Sequence, residues 1–108
     1  MKDNISRNPI ATRLKEARIA AKISQRALGM KAGIDASSVS PRMSQYETGR
    51  HVPDFLILKR IGKVLGYPTA YFYADNDCLA EMIVLFSNLN KDQKTKILGQ
   101  LRRIKLLK

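Results

Sequence analysis

The sequence predicts an all-α protein. Three observations carry that prediction. Apolar residues recur at three- and four-residue spacings, and Ser, Asn, Pro and Gly punctuate the chain where helices start and stop. No segment alternates apolar and polar residues over a strand's length. The 108 residues suffice for one domain but not comfortably for two. A content of 44% hydrophobic and 27% charged residues supports a packed core and argues against wholesale disorder.

Residues 1–8 are polar and read as a disordered arm. Asn8-Pro9 is a cap followed by a proline, which starts a first helix over 9–21 with Ile10, Leu14, Ala17 and Ala21 on its inner side. Ser24 caps a second helix that runs to Ala32 and stops at Gly33, and Ile23 and Leu28 are spaced as a hydrophobic staple. Residues 34–40, IDASSVS, are small and turn-prone. Ser40-Pro41 repeats the cap-plus-proline signal, for a third helix to Thr48 stopped by Gly49. Pro53-Asp54 opens a fourth, with Ile57, Ile61, Val64 and Leu65 inward, ending at Gly66. Pro68-Thr69 begins a short aromatic turn, AYFYA. Asp75 to Asp77 then break the chain before an amphipathic run from Leu79 to Leu89. Asn90 and Gln93 have the form of a capping box and start a last helix to Leu107.

Charge narrows the function. Twenty Lys and Arg against nine Asp and Glu give a net charge of +11, which favours a polyanionic partner: nucleic acid or an anionic membrane surface. A single cysteine excludes an internal disulfide framework and a two-thiol zinc site. The polar N-terminus lacks the apolar stretch of an export signal, and no window approaches the ~20 apolar residues that span a bilayer. One histidine, with no carboxylate pair and no Gly-rich phosphate loop, offers no catalytic constellation. The expectation is a cytoplasmic, non-enzymatic domain without cofactor or metal.

Two short helices joined by a Gly-containing turn, on so basic a chain, suggest a helix-turn-helix. The stretches RLKEARIAAKISQRALGMKAGI (13–34), RMSQYETGRHVPDF (42–55) and LKRIGKVLG (58–66) follow in the order of the phage Cro/repressor-type family. Over residues 10–74 the chain resembles that family, the xenobiotic-response-element-like regulators. One departure stands out: about four extra residues lie between Gly33 and Glu47, placed here in the turn between helices 2 and 3. The resemblance implies a five-helix lambda-repressor-like domain over 9–76, followed by two additional C-terminal helices over 77–108.

It also implies that the third helix reads double-stranded DNA. At ~100° per residue, Val39, Met43 and Tyr46 share one side of that helix, and Pro41, Ser44, Gln45 and Thr48 share the other. In a major groove, Gln45 is able to pair with adenine N6 and N7, Ser44 with either role, and Pro41 with a thymine methyl. Ser40 stands close enough to join them. Gln25 matches the family's backbone-contacting glutamine, and Arg26, Arg50 and His51 are candidates for phosphate contacts. Arg42 sits on a flank, open to either phosphate or protein contact. Arg18 and Glu47 match a salt bridge that orients the recognition helix, and Gly33 serves the backbone of the turn.

The last third is apolar and basic at once. Leu79, Met82, Ile83 and Phe86 share a face, but Val84 and Leu85 are left over, and Ile97, Leu98, Leu101 and Ile104 follow. Such a surplus reads either as a dimer interface or as core packing within one chain. The basic residues from Lys91 onward either attract DNA or form a solvated face; a membrane-surface helix is a minor alternative. Cys78 reads as a helix-start or core residue. The leading expectation is a dimeric repressor of a palindromic operator. The alternative is an antitoxin or adaptor that binds a protein partner through its C-terminal helices.

Overall fold

The computed structural model describes residues 9–106. The expected N-terminal arm, the Asn8 cap and the helix end at Leu107 lie outside them. Six α-helices follow in order: α1 (Ile10–Ala20), α2 (Gln25–Lys31), α3 (Val39–Thr48), α4 (Phe55–Leu65), α5 (Asp77–Ser87) and α6 (Lys91–Leu106). A 3₁₀ turn, Thr69–Tyr73, separates α4 from α5 and accounts for the aromatic AYFYA stretch. Among the described residues there is no strand.

Local chemistry explains most boundaries. Ser24 Oγ accepts from Ala27 N at 3.0 Å, and Asp54 Oδ1 accepts from Ile57 N at 2.9 Å, so each satisfies an orphan donor of its helix. Asn90 and Gln93 exchange side-chain-to-backbone bonds of 2.8 and 3.0 Å, the reciprocal capping box that starts α6. The boundaries of three helices differ from expectation. Pro9 is itself the N-cap of α1, and Ala21 is an exposed C-cap rather than an inward residue. α3 begins at Val39, so Ser40 and Pro41 are its second and third residues and Ser40 is not the cap. The proline is tolerated there because the first helical bond, Arg42 N to Ser38 O at 3.1 Å, starts beyond it. α5 starts at Asp77, because Asn76 caps Leu79 N at 2.7 Å.

The core lies inside α1 to α4 and the 3₁₀ turn. Leu14, Leu28, Val39, Met43, Leu58, Ile61 and Phe72 are fully buried there. α5 closes one side with Ala80, Ile83 and Val84, which corrects the expected face: Leu79 and Met82 point away from the core and Val84 packs against it. Both sides of α5 are apolar, so periodicity alone did not rank them. Cys78 is exposed in its first turn.

A buried arginine ties α5 to α1. Arg13, 6% exposed, donates from Nε to the Ala74 carbonyl at 2.9 Å and from Nη1 to Glu16 at 3.2 Å and Asp77 at 2.9 Å. Burial alone would lower its pKa, but the two carboxylates outweigh that and hold the guanidinium charged. The same guanidinium lies 5.9 Å from the centroid of the Tyr71 ring.

Tyr71 carries the pH dependence of this junction. Its hydroxyl is 3.4 Å from Glu16 Oε1, and burial, with the Glu16 charge second, pushes its pKa from 10.0 up to about 12. A raised phenol pKa favours the folded state below pH 10 and loses that contribution as pH rises toward 12. Thermal melts of wild type and Tyr71→Phe therefore give a difference in Tm that moves against wild type above pH 10; a constant difference would remove the buried phenol from the account.

Candidate nucleic-acid interface

α2 and α3 cross in close contact because Gly29 has no side chain. A Cβ built there would lie 2.3 Å from Val39 Cγ2 and 2.8 Å from Met43 Cγ, closer than atoms approach. Beyond α2 the chain closes as a Schellman motif. Ile34 N bonds to Gly29 O at 2.9 Å and Gly33 N to Met30 O at 3.0 Å, with Gly33 at φ +90° and Ile34 buried. Residues 35–38 then form a second turn through Ser38 N to Asp35 O at 3.0 Å, with the Ser37 hydroxyl donating to the Asp35 carboxylate. The connection thus meets its own backbone needs, and its length leaves the α2–α3 contact intact.

α3 divides into two sides. Val39 and Met43 are fully buried and Tyr46 is 7% exposed, whereas Ser40, Pro41, Ser44 and Thr48 are exposed and Gln45 is half-buried. Thr48 Oγ1 donates to the Gln45 carbonyl at 3.3 Å. On the flank, Arg42 Nη2 donates to the Tyr46 hydroxyl at 2.8 Å, and its guanidinium lies 5.8 Å from that ring's centroid. Gly49, at φ +82°, ends the helix, and the exposed Arg50 and His51 follow in the loop. His51 N bonds back to the Gln45 carbonyl at 3.3 Å.

Behind this face lies Glu47, whose side chain is 3% exposed. Arg18 of α1 meets it with Nε at 2.5 Å and Nη2 at 3.1 Å, and Gln25 of α2 donates from Nε2 at 3.1 Å. Arg18 Nη1 also donates to the Ile23 carbonyl at 3.0 Å, fixing the α1–α2 turn. One carboxylate thus joins three helices. Arg26, the next residue after Gln25, is exposed.

The helix-turn-helix family matches residues 14–72, more than half of the chain. The chain belongs to the helix-turn-helix family, of the Cro/repressor type. A solved structure, that of the transcriptional regulator BswR, is 41% identical and superposes with a TM-score of 0.78. That likeness covers 87% of this chain and 93% of the other, so it reaches beyond the helix-turn-helix into the α5–α6 region. No curated protein matches the chain. The lambda-repressor-like fold expected from the motifs is the one observed.

Of the two contacts left open for Arg42, the structure shows the one to protein: it packs on Tyr46, its i, i+4 neighbour. Gly29 was visible as a glycine inside a helical run and received no role in the sequence. Two variants test the arrangement. On helix propensity alone Gly29→Ala would stabilise by about 1 kcal/mol. The α2–α3 contact predicts the opposite sign, a loss of about 2 kcal/mol from overpacking, read by urea unfolding. Glu47→Ala strands the Arg18 charge and lowers stability by about 3 kcal/mol in the same assay. A neutral result for either removes that contact from the account.

Proposed function

We propose that this helix-turn-helix protein is a transcription regulator that reads double-stranded DNA with the outward side of α3. The observation that carries the reading is the division of α3. Its apolar side and Glu47 are locked to α1 and α2, which leaves Ser40, Pro41, Ser44, Gln45 and Thr48 outward on a chain of net charge +11. Gln45 pairs with adenine through its amide; Ser44 and Thr48 offer hydroxyls, and the Pro41 ring packs on a thymine methyl. Gln25 keeps a second N–H beyond the one given to Glu47, suited to a phosphate oxygen. Arg26, Arg50 and His51 add phosphate contacts, and Arg42 does so while resting on Tyr46. Arg18, Glu47 and Gly33 position the reading helix without touching DNA.

As a homodimer the protein would present two such helices about 34 Å apart, suited to a palindromic operator, and occupancy would repress by excluding other proteins. The family and the BswR neighbour support the regulator class; repression, the dimer and a cytoplasmic, nucleoid-associated setting belong to this reading. No helix among the described residues is long and apolar enough to cross a membrane. The exposed apolar side chains of α5 and α6 also favour a second reading, an antitoxin or adaptor that carries a protein partner there.

Selection from a random duplex pool, with affinity followed against salt, tests the proposal. Recovery of a palindrome with half-sites one turn apart is expected; weak, motif-free binding would overturn it. Gln45→Ala should cost about tenfold in affinity for the selected site and relax base preference at one position per half-site. Arg26→Ala should weaken all sequences alike and reduce the salt slope by about one per protomer.

A further inference from the structure

The connection between α2 and α3 is longer by about four residues than is usual for the family. The crossing of the two helices is intact, so the added length lies outside it, and Asp35, Ala36 and Ser37 are exposed. The segment is ordered by its own bonds. Ser38 N bonds to the Asp35 carbonyl at 3.0 Å, and the Ser38 carbonyl accepts from Arg42 N at 3.1 Å, so the turn runs directly into α3. Ser37 stands four residues before Pro41 and seven before Ser44, the spacing that lines up one side of a helix. That side is the outward one.

Asp35 brings a negative charge to this end of α3. The Ser37 hydroxyl donates to Asp35 Oδ2 and so draws the carboxylate toward the outward side. Among the described residues Oδ1 meets no donor and no cation pairs with the carboxylate; Arg42 donates to the Tyr46 hydroxyl. An ionised carboxylate only accepts hydrogen bonds. A recognition helix enters the major groove by its N-terminal residues, so the turn ahead of α3 is carried to the groove with it. Phosphates there offer a carboxylate no donor and repel it. Base edges offer two donors, cytosine N4 and adenine N6, and adenine sets its N7 acceptor beside the amino group, which suits an amide and opposes a carboxylate.

We infer that Asp35 is a further base-reading residue, which accepts from cytosine N4 with Oδ1 while Ser37 holds Oδ2 and positions it. This deepens the reading of α3 as the DNA-facing helix, and rests on it: the longer turn extends the outward side and adds one base position to the site. The charge also acts against other sequences, because a carboxylate left unmet among phosphates weakens binding wherever that cytosine is absent.

The test is selection from a random duplex pool by wild type, Asp35→Asn and Gln45→Ala, followed by affinities for the selected duplex and for a scrambled one. Asn suits the first position of the turn as Asp does, so Asp35→Asn should keep the wild-type melting temperature. It should lose about tenfold of preference for cytosine at one position per half-site, other than the position that Gln45→Ala relaxes. Its affinity for the scrambled duplex should rise about threefold at low salt, because a charge that repels phosphate is gone. Ser37→Ala, which keeps the charge but releases the carboxylate, should lose part of the cytosine preference without that gain. A role confined to forming the turn would move neither readout. Undiminished cytosine preference in Asp35→Asn, with Gln45→Ala still altering its own position, overturns the inference and leaves the reading of α3 standing. A wild-type pool that yields no motif defeats that reading, and this inference with it.

Discussion

Glu47 is an ionisable side chain almost wholly removed from water, and the position of α3 depends on how its charge is met. A buried carboxylate is tolerable only with close, well-aligned donors. Here they come from two other helices, Arg18 on α1 and Gln25 on α2, so α3 cannot rotate or slide without leaving the charge unpaired. Apolar contacts alone would resist such a shift less, because burial is non-directional. Gly29 supplies the complementary constraint: it lets α2 and α3 approach until Val39 and Met43 fill the space a Cβ would take. Together they set which side of α3 is left outward.

α1 connects that unit to the rest of the chain. Its two arginines serve different ends of the molecule: Arg18 faces α3, and Arg13 faces the 3₁₀ turn and α5. α5 is therefore anchored to the same helix that steadies α3. Asp77, the partner of Arg13, is also the first residue of α5, so the junction and the start of the extension coincide.

Much of this was legible in the sequence, for local reasons. Caps act over three residues, which is why Ser24, Asp54 and the Asn90–Gln93 box could be read directly. The two sides of α3 followed from periodicity. What escaped depended on distance or on ambiguity. Arg13 meets partners 61 and 64 positions along the chain, a relation no local pattern carries. Pro41 suggested a helix start at Ser40, yet proline is equally acceptable two positions deeper, before the first helical bond. α5 has apolar residues on both sides, so its core-facing side was decided by tertiary packing.

The outward side of α3 is the surface proposed to meet DNA. Amide chemical-shift mapping of the full chain titrated with its selected duplex tests it most directly. The largest shifts are expected on Ser40, Ser44, Gln45 and Thr48, with Gln25, Arg26, Arg50 and His51 around them. Shifts centred instead on the basic residues of α6, with α3 unmoved, would contradict it.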